Sequence, residues 1–194
     1  MKVINLFGAP GSGKSTTMLG LTYQMKMLGL SVENTPEYFK DLILEGTDKG
    51  EFGGQLAVLA EQNRRLARLV GKNDFAVTDC PLPLIDFYTP KDYVDYFHEF
   101  SKSLYNKYDN AANYFIVRAH TFENEKRVHD EATSDRLSKE IYDFLNENNI
   151  KVKVFESSED LVTVILADLI KNQVVSKENL QKARNPSMVK KFSP

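Results

Sequence analysis

Residues 8–15 read Gly8-Ala9-Pro10-Gly11-Ser12-Gly13-Lys14-Ser15, and Thr16 follows. The spacing of glycine, glycine, lysine and serine is that of the phosphate-binding P-loop. Glycines let successive backbone N–H groups curl around phosphate oxygens, and the N-terminal end of a following helix offers positive potential to the same anion. Lys14 is long enough to reach the outer phosphates. The Ser15 hydroxyl is a hard oxygen donor of the kind Mg²⁺ takes beside substrate phosphates. The segment from Gly8 to Thr16 is therefore expected to hold a nucleoside triphosphate, ATP, together with Mg²⁺.

Two carboxylates stand where a second reactant would lie. Asp79 follows the apolar run Phe75-Ala76-Val77-Thr78, and Glu37 follows Thr35-Pro36 after a short extended stretch. In parallel α/β sheets ligands bind beyond the carboxyl ends of the strands, and both residues are expected at that edge. Asp79 would hold Mg²⁺ through water or orient an attacking hydroxyl; the other reading is a capping carboxylate in the turn before Pro81. Glu37 would serve as a base, although a negative charge at a helix N-terminus is favourable in itself.

Gln55 and Gln62 lie one heptad apart on an expected helix, and Asn63 interrupts its apolar stripe. Amides supply both donors and acceptors, which suits the edge of a nucleobase or carboxamide. A solvated face laced by Glu61 with Arg64 and Arg65 is the alternative. From Phe122 to Glu131 the chain is dense in charge and lacks apolar periodicity. In a lid, Arg127, with Lys126 or Arg118, would neutralise a transferred phosphoryl group; a plain surface loop is the other reading. His120 and His129 lack metal-ligand spacing, so no structural zinc is expected.

These residues need a scaffold. The run Val3-Ile4-Asn5-Leu6-Phe7 predicts a strand entering the P-loop, and Met18, Leu21, Met25 and Leu28 recur at helical spacing up to Gly29. Leu30 to Asn34 reads as a strand. Thr35-Pro36-Glu37 reads as an N-cap with proline at the first helical position. A helix is expected from Gly53 to Val70, with Leu56, Leu59, Leu66 and Val70 on its buried stripe and Gly71 ending it. Phe75 to Asp79 is a strand. Thr89-Pro90-Lys91-Asp92 resembles a capping box opening a helix with Tyr93, Phe97, Phe100, Leu104 and Tyr108 on one face. Tyr114 to Val117 and Lys151 to Phe155 are strands, separated by a helix carrying Leu137, Ile141, Phe144 and Leu145. The run beginning at Leu161 is β-branched, yet Ser157-Ser158-Glu159-Asp160 before it and Lys171 after it favour helix. Strands alternate with helices throughout, which predicts an α/β P-loop NTPase with a parallel sheet of about five strands and helices on both faces.

Composition agrees with one domain: 194 residues, 42% hydrophobic and 27% charged. Cys80 is the sole cysteine, so no internal disulfide forms and the cytoplasm is the expected compartment. No apolar run reaches membrane-spanning length, and neither a membrane nor a secretory route is expected. The net charge of -2 gives no signature of nucleic-acid binding. Residues 1–171 are expected to form the domain and residues 172–194 a basic tail, with Lys177, Lys182, Arg184, Lys190 and Lys191 against Glu178 alone.

The order of parts resembles the P-loop nucleoside and nucleotide kinases: P-loop, Thr35-Pro36-Glu37 after the second strand, a Gln-bearing helix, Thr78-Asp79 at a strand end, and an Arg-containing segment. Pro36-Glu37-Tyr38-Phe39-Lys40, Phe75 to Pro81 and Arg127-Val128-His129 are similar, more closely, to the small AAA/kinase-like ATPases related to the nicotinamide riboside kinase domain of NAD-biosynthesis proteins, phage-encoded members included. The resemblance spans residues 1 to about 170. It implies a phosphoryl donor held by Gly11, Gly13, Lys14, Ser15 and Thr16, a small nucleoside- or nucleotide-like acceptor near Glu37 and Gln62, and Arg127 in a lid. An ATPase or switch that engages a protein or nucleic-acid partner is the alternative. Deoxynucleoside kinases carry an Arg close after the acidic residue of the third strand; here Cys80-Pro81-Leu82-Pro83 follows Asp79, which leaves the acceptor open.

Overall fold

The computed structural model describes residues 1–46, 54–119, 131–176 and 178–180. Five strands, β1 (Lys2–Phe7), β2 (Val32–Thr35), β3 (Phe75–Thr78), β4 (Asp109–Val117) and β5 (Lys153–Glu156), form one sheet in the order β2-β3-β1-β4-β5. Every neighbouring pair is parallel. Helices connect them: α1 (Lys14–Met27), α2 (Tyr38–Glu45), α3 (Gly54–Ala67), α4 (Leu82–Tyr88), α5 (Phe97–Tyr105), α6 (Glu131–Glu147) and α7 (Leu161–Lys171).

Strand alternation divides the core. Ile4, Leu6, Phe75, Val77, Tyr114 and Ile116 face Met18, Leu21 and Met25 of α1 and Leu161, Ile165 and Leu169 of α7. The other face carries Val3 and Ala76 against α3, α4 and α5, and Phe7 and Phe115 against α6. Because side chains of a strand alternate with period two, near-continuous apolar strands mark a sheet covered on both sides. The α7 segment is helical because its apolar residues recur every fourth position, whereas strand formation would bring Leu161, Ile165 and Leu169 to one side only with polar Thr163.

Register sets the functional edge. Thr78 of β3 is level with Asn5 of β1 and with Thr35 of β2. The chain leaves all three strands close to that level, so the P-loop, Asp79 and Glu37 emerge side by side.

Several sequence expectations shift. Thr35 is not a helix cap but the last residue of β2, fully buried, its carbonyl accepting bonds from Thr78 Oγ1 at 3.0 Å and Gln62 Nε2 at 3.4 Å. The helix after it begins at Tyr38, with Glu37 as its N-cap residue. On α3 the buried stripe is Val58, Leu59, Gln62 and Leu66, while Leu56 and Val70 are exposed. A short helix, α4, was not anticipated from Pro81-Leu82-Pro83. Thr89 closes it, its hydroxyl donating back to the Ile85 carbonyl at 2.7 Å, instead of opening the next helix. Consequently α5 starts only at Phe97, and Phe100 is exposed. The strand expected at Tyr114 begins at Asp109, and the last strand begins two residues late, at Lys153. Past α7 the chain stays on the domain: Val175 is 1% exposed, the Lys2 ammonium donates to the Val174 carbonyl at 2.8 Å, and Leu180 packs against the core. The packed part thus extends beyond residue 171. His120, Lys126, Arg127, His129 and most of the basic tail lie outside the described residues.

Candidate active site

The P-loop connects β1 to α1 through glycines that only their lack of a side chain permits. Gly11 and Gly13 have φ of 81° and 91°, in the left-handed region. At Gly8, φ is 140°, and a Cβ would lie 2.5 Å from the Ile116 carbonyl oxygen and 2.7 Å from Ser12 Oγ. The loop is packed from behind as well. Ser134 of α6, a residue that sequence reasoning missed, donates its hydroxyl to the Pro10 carbonyl at 2.6 Å.

Inside this turn Ala9 and Ser12 are buried, and Pro10 and Gly11 are half-buried. The Ser12 hydroxyl has no hydrogen-bond partner among the described residues. Lys14 Nζ donates to the Ala9 carbonyl at 2.8 Å, folding back over the loop. Thr16, half a turn into α1, is exposed. Glycine-permitted curvature, a buried hydroxyl and a lysine arched across the turn are what a polyphosphate needs, and the residues fit that group.

Asp79 joins the two halves of the site. Its Oδ2 accepts the Ser15 hydroxyl at 2.5 Å and its Oδ1 accepts the Glu37 backbone N–H at 3.0 Å. A hydroxyl and a carboxylate in contact form an all-oxygen donor pair, which fits Mg²⁺. Among the described residues no group of three or more His, Cys, Asp or Glu side chains is gathered as a metal cage. Such a cage is not what Mg²⁺ requires when phosphates supply the remaining ligands.

Glu37 is half-buried, with its side chain held between charges of both signs. Burial pushes its carboxyl above the ordinary carboxylate range; Lys14 opposes that, Asp79 reinforces it and Lys40 opposes it weakly. Tyr88, at the end of α4, has its phenol pushed up by burial and by the neighbouring Glu37. Cys80 itself is fully enclosed, and burial raises its thiol well above the usual value, so it is inert packing and not a nucleophile.

The two glutamines separate. Gln62 is 0% exposed, and its amide is spent on the chain: Oε1 accepts the Tyr38 N–H at 3.1 Å and Nε2 donates to the Thr35 carbonyl. It braces the β2–α2 corner, in place of the ligand contact expected of it. Gln55 stands half-buried on the first turn of α3, about 10 Å along the axis from Gln62. The solvated-face alternative holds for Glu61 and Arg64, which pair at 2.6 Å on the exposed side. Arg118 follows β4 and donates from Nη2 to Asp135 of α6 at 2.5 Å, one residue from the serine that holds the P-loop. The sequence pattern carried no signal for Ser134 or Tyr88, since each acts through a tertiary neighbour.

Comparison with known proteins adds the following. A family model described as AAA domain matches residues 3–160. Among solved structures, deoxyadenosine kinase from M. mycoides with bound dCTP matches with a TM-score of 0.55 at 16% identity, over 87% of this chain and 98% of that one. Thymidylate kinase from Ehrlichia chaffeensis matches with a TM-score of 0.54 at 16% identity, over 87% and 97%. At that identity the likeness is one of fold: the parallel sheet and flanking helices are those of the P-loop kinases. No curated protein sequence matches the chain. Among the described residues no helix is long and apolar enough to cross a membrane.

Proposed function

The chain belongs to the AAA domain family, and we propose that within it this protein is a kinase that moves the γ-phosphoryl group of Mg-ATP to a hydroxyl or phosphate of a nucleoside- or nucleotide-like molecule. The observation that carries the reading is the Asp79 carboxylate, shared between the Ser15 hydroxyl of the donor loop and the Glu37 backbone of the acceptor side. One group then fixes the distance between the two reactants, and placement is most of what phosphoryl transfer asks of a protein.

Gly8 to Thr16 would enclose the triphosphate through backbone N–H groups, with Lys14 exchanging the Ala9 carbonyl for a phosphate oxygen. Ser15 and Asp79 would hold the cation, which when bound offsets the negative charge of the phosphate oxygens. Asp79 has both oxygens engaged, so the proton of the attacking acceptor falls to Glu37, whose carboxyl is raised toward the range useful to a base. Gln55 is the amide left for the acceptor, with Tyr38 and Tyr88 bordering Glu37. Arg118 flanks the donor, and Arg127, outside the described residues, keeps its sequence-based assignment to neutralising the transferred group. The kinase structures that share the fold act, by their names, on deoxyadenosine and thymidylate, which supports an acceptor of that size and chemistry.

The test is ATP consumption by the purified protein, alone and with a panel of nucleosides, nucleoside monophosphates and nicotinamide riboside. Stimulation by one small molecule with formation of its phosphorylated product is the expected result. Stimulation by protein or nucleic acid only would overturn the kinase reading in favour of a switch.

A further inference from the structure

Arg65 of α3 is 14% exposed on its side chain and makes contacts on both sides of Glu37. Its Nη1 donates to the Pro36 carbonyl at 3.1 Å, its Nη2 pairs with Asp41 at 2.5 Å, and its guanidinium lies 5.1 Å from the centre of the Tyr38 ring. Its Nε donates to Glu61 at 3.1 Å, and Glu61 is in turn held by Arg64. The next residue, Gln62, takes the Tyr38 N–H and the Thr35 carbonyl. Residues 35, 36, 38 and 41 are thus all tied to two side chains one turn apart on one helix, Gln62 and Arg65, while Glu37 between them makes its backbone bond to Asp79.

The helix that the corner opens, α2, has no fully buried residue; Tyr38, Phe39 and Leu42 rest partly buried against the core. Partial packing of that kind leaves a short helix room to tilt, and a side chain at its N-cap would tilt with it. Three divergent N–H groups in one plane can stop that motion; a lysine ammonium, a point charge on a flexible stem, satisfies Asp41 and loses both Pro36 and the flat contact with Tyr38.

We propose that Arg65 is a positioning residue for phosphoryl transfer, holding the β2–α2 corner so that the Glu37 carboxylate points at the acceptor. The proposal rests on Glu37 being the base. Arg65 touches neither donor nor acceptor and acts only through the direction of Glu37.

Four chains test it at full length: wild type, Arg65→Lys, Glu37→Gln and the double variant. Turnover is measured with the acceptor that the panel identifies, ATP affinity by calorimetry and stability by thermal melting. Arg65→Lys is expected to lower kcat roughly ten- to a hundredfold while ATP affinity stays within about twofold, since a misplacement near 1 Å costs that much in rate. In the Glu37→Gln background the same change is expected to cost nothing further, because there is no base left to aim. An unchanged kcat, an equal loss of ATP affinity, or a further fall in the Glu37→Gln background would each overturn the proposal. Full turnover by Glu37→Gln would overturn the base reading instead, which keeps the two failures apart. Should the lysine variant not fold, Asp41→Asn, at a carboxylate 43% exposed, releases one arm of the guanidinium. It is expected to lower kcat several-fold with ATP affinity kept, and unchanged kcat there would equally overturn the assignment.

Discussion

Lys14 donates to the neutral Ala9 carbonyl at 2.8 Å, a bond it can exchange for one to a phosphate oxygen, and its charge also acts on Glu37. Lys14→Ala should cost about 3 kcal/mol of transition-state stabilisation, or roughly a hundredfold in kcat, as loss of one well-placed charge donor does; steady-state kinetics with the panel acceptor checks this. Glu37 bears on stability. Burial raises its carboxyl above the ordinary 4.5, so the folded state binds its proton more tightly than the unfolded one. Its contribution is most favourable below pH 4.5 and is lost as pH rises through the folded value. Glu37→Gln should thus melt higher than wild type near neutral pH, with the gap closing below that point, while losing activity. Equal melting temperatures at neutral pH would contradict the burial of its charge.

Turns and helix pairs carry the next level. At Gly8 both the φ of 140° and the 2.5 Å approach to the Ile116 carbonyl exclude a side chain. Gly8→Ala should cost about 2 kcal/mol or more from strain alone and abolish ATP binding with it, as denaturation and calorimetry would report. Gly20 lets α1 lie against α7, where a Cβ would approach Val162 Cγ2 to 2.9 Å. The obstacle there is the tip of a side chain, so Gly20→Val is expected to destabilise by about 1–3 kcal/mol through overpacking, with the sheet and the P-loop retained. The contrast separates a glycine required by backbone shape from one required by packing.

Across the whole molecule, Asp168 of α7 fastens the last helix to two neighbouring strands. Burial opposes its ionisation, but the Lys153 ammonium at 2.6 Å and the Tyr114 hydroxyl at 2.8 Å hold its carboxyl below the ordinary 3.8. The stability it lends is present above that value and fades as pH falls through its folded one, so Asp168→Asn should be less stable at neutral pH and approach wild type in acid. Donor binding should also be felt globally. At a hundred times Kd, ATP would add about 2.7 kcal/mol, which for a domain of this size is a rise of about 5–10 °C in Tm.

Much of this was legible in the residues. Gly8 to Ser15 declared the P-loop because backbone curvature and anion chemistry restrict those positions to few residue types, and the apolar period of the strands declared the covered sheet. Asp79 and Glu37 were recognisable at strand ends, since a carboxylate closing a buried strand has few other uses. What the sequence could not settle was which polar groups meet. Gln55 and Gln62 look alike one heptad apart, yet one is half-buried on the first turn of α3 and the other is sealed against Thr35 and Tyr38. Thr89 looks like the start of a helix and ends one. Arg65 reads as a surface charge and instead ties down residues 36, 38 and 41. Local types and spacings determine what a segment can do, because φ, ψ and period are local properties. Only the packing of α3 against the β2–α2 corner decides where each donor finds its acceptor, because those partners lie more than twenty residues apart along the chain.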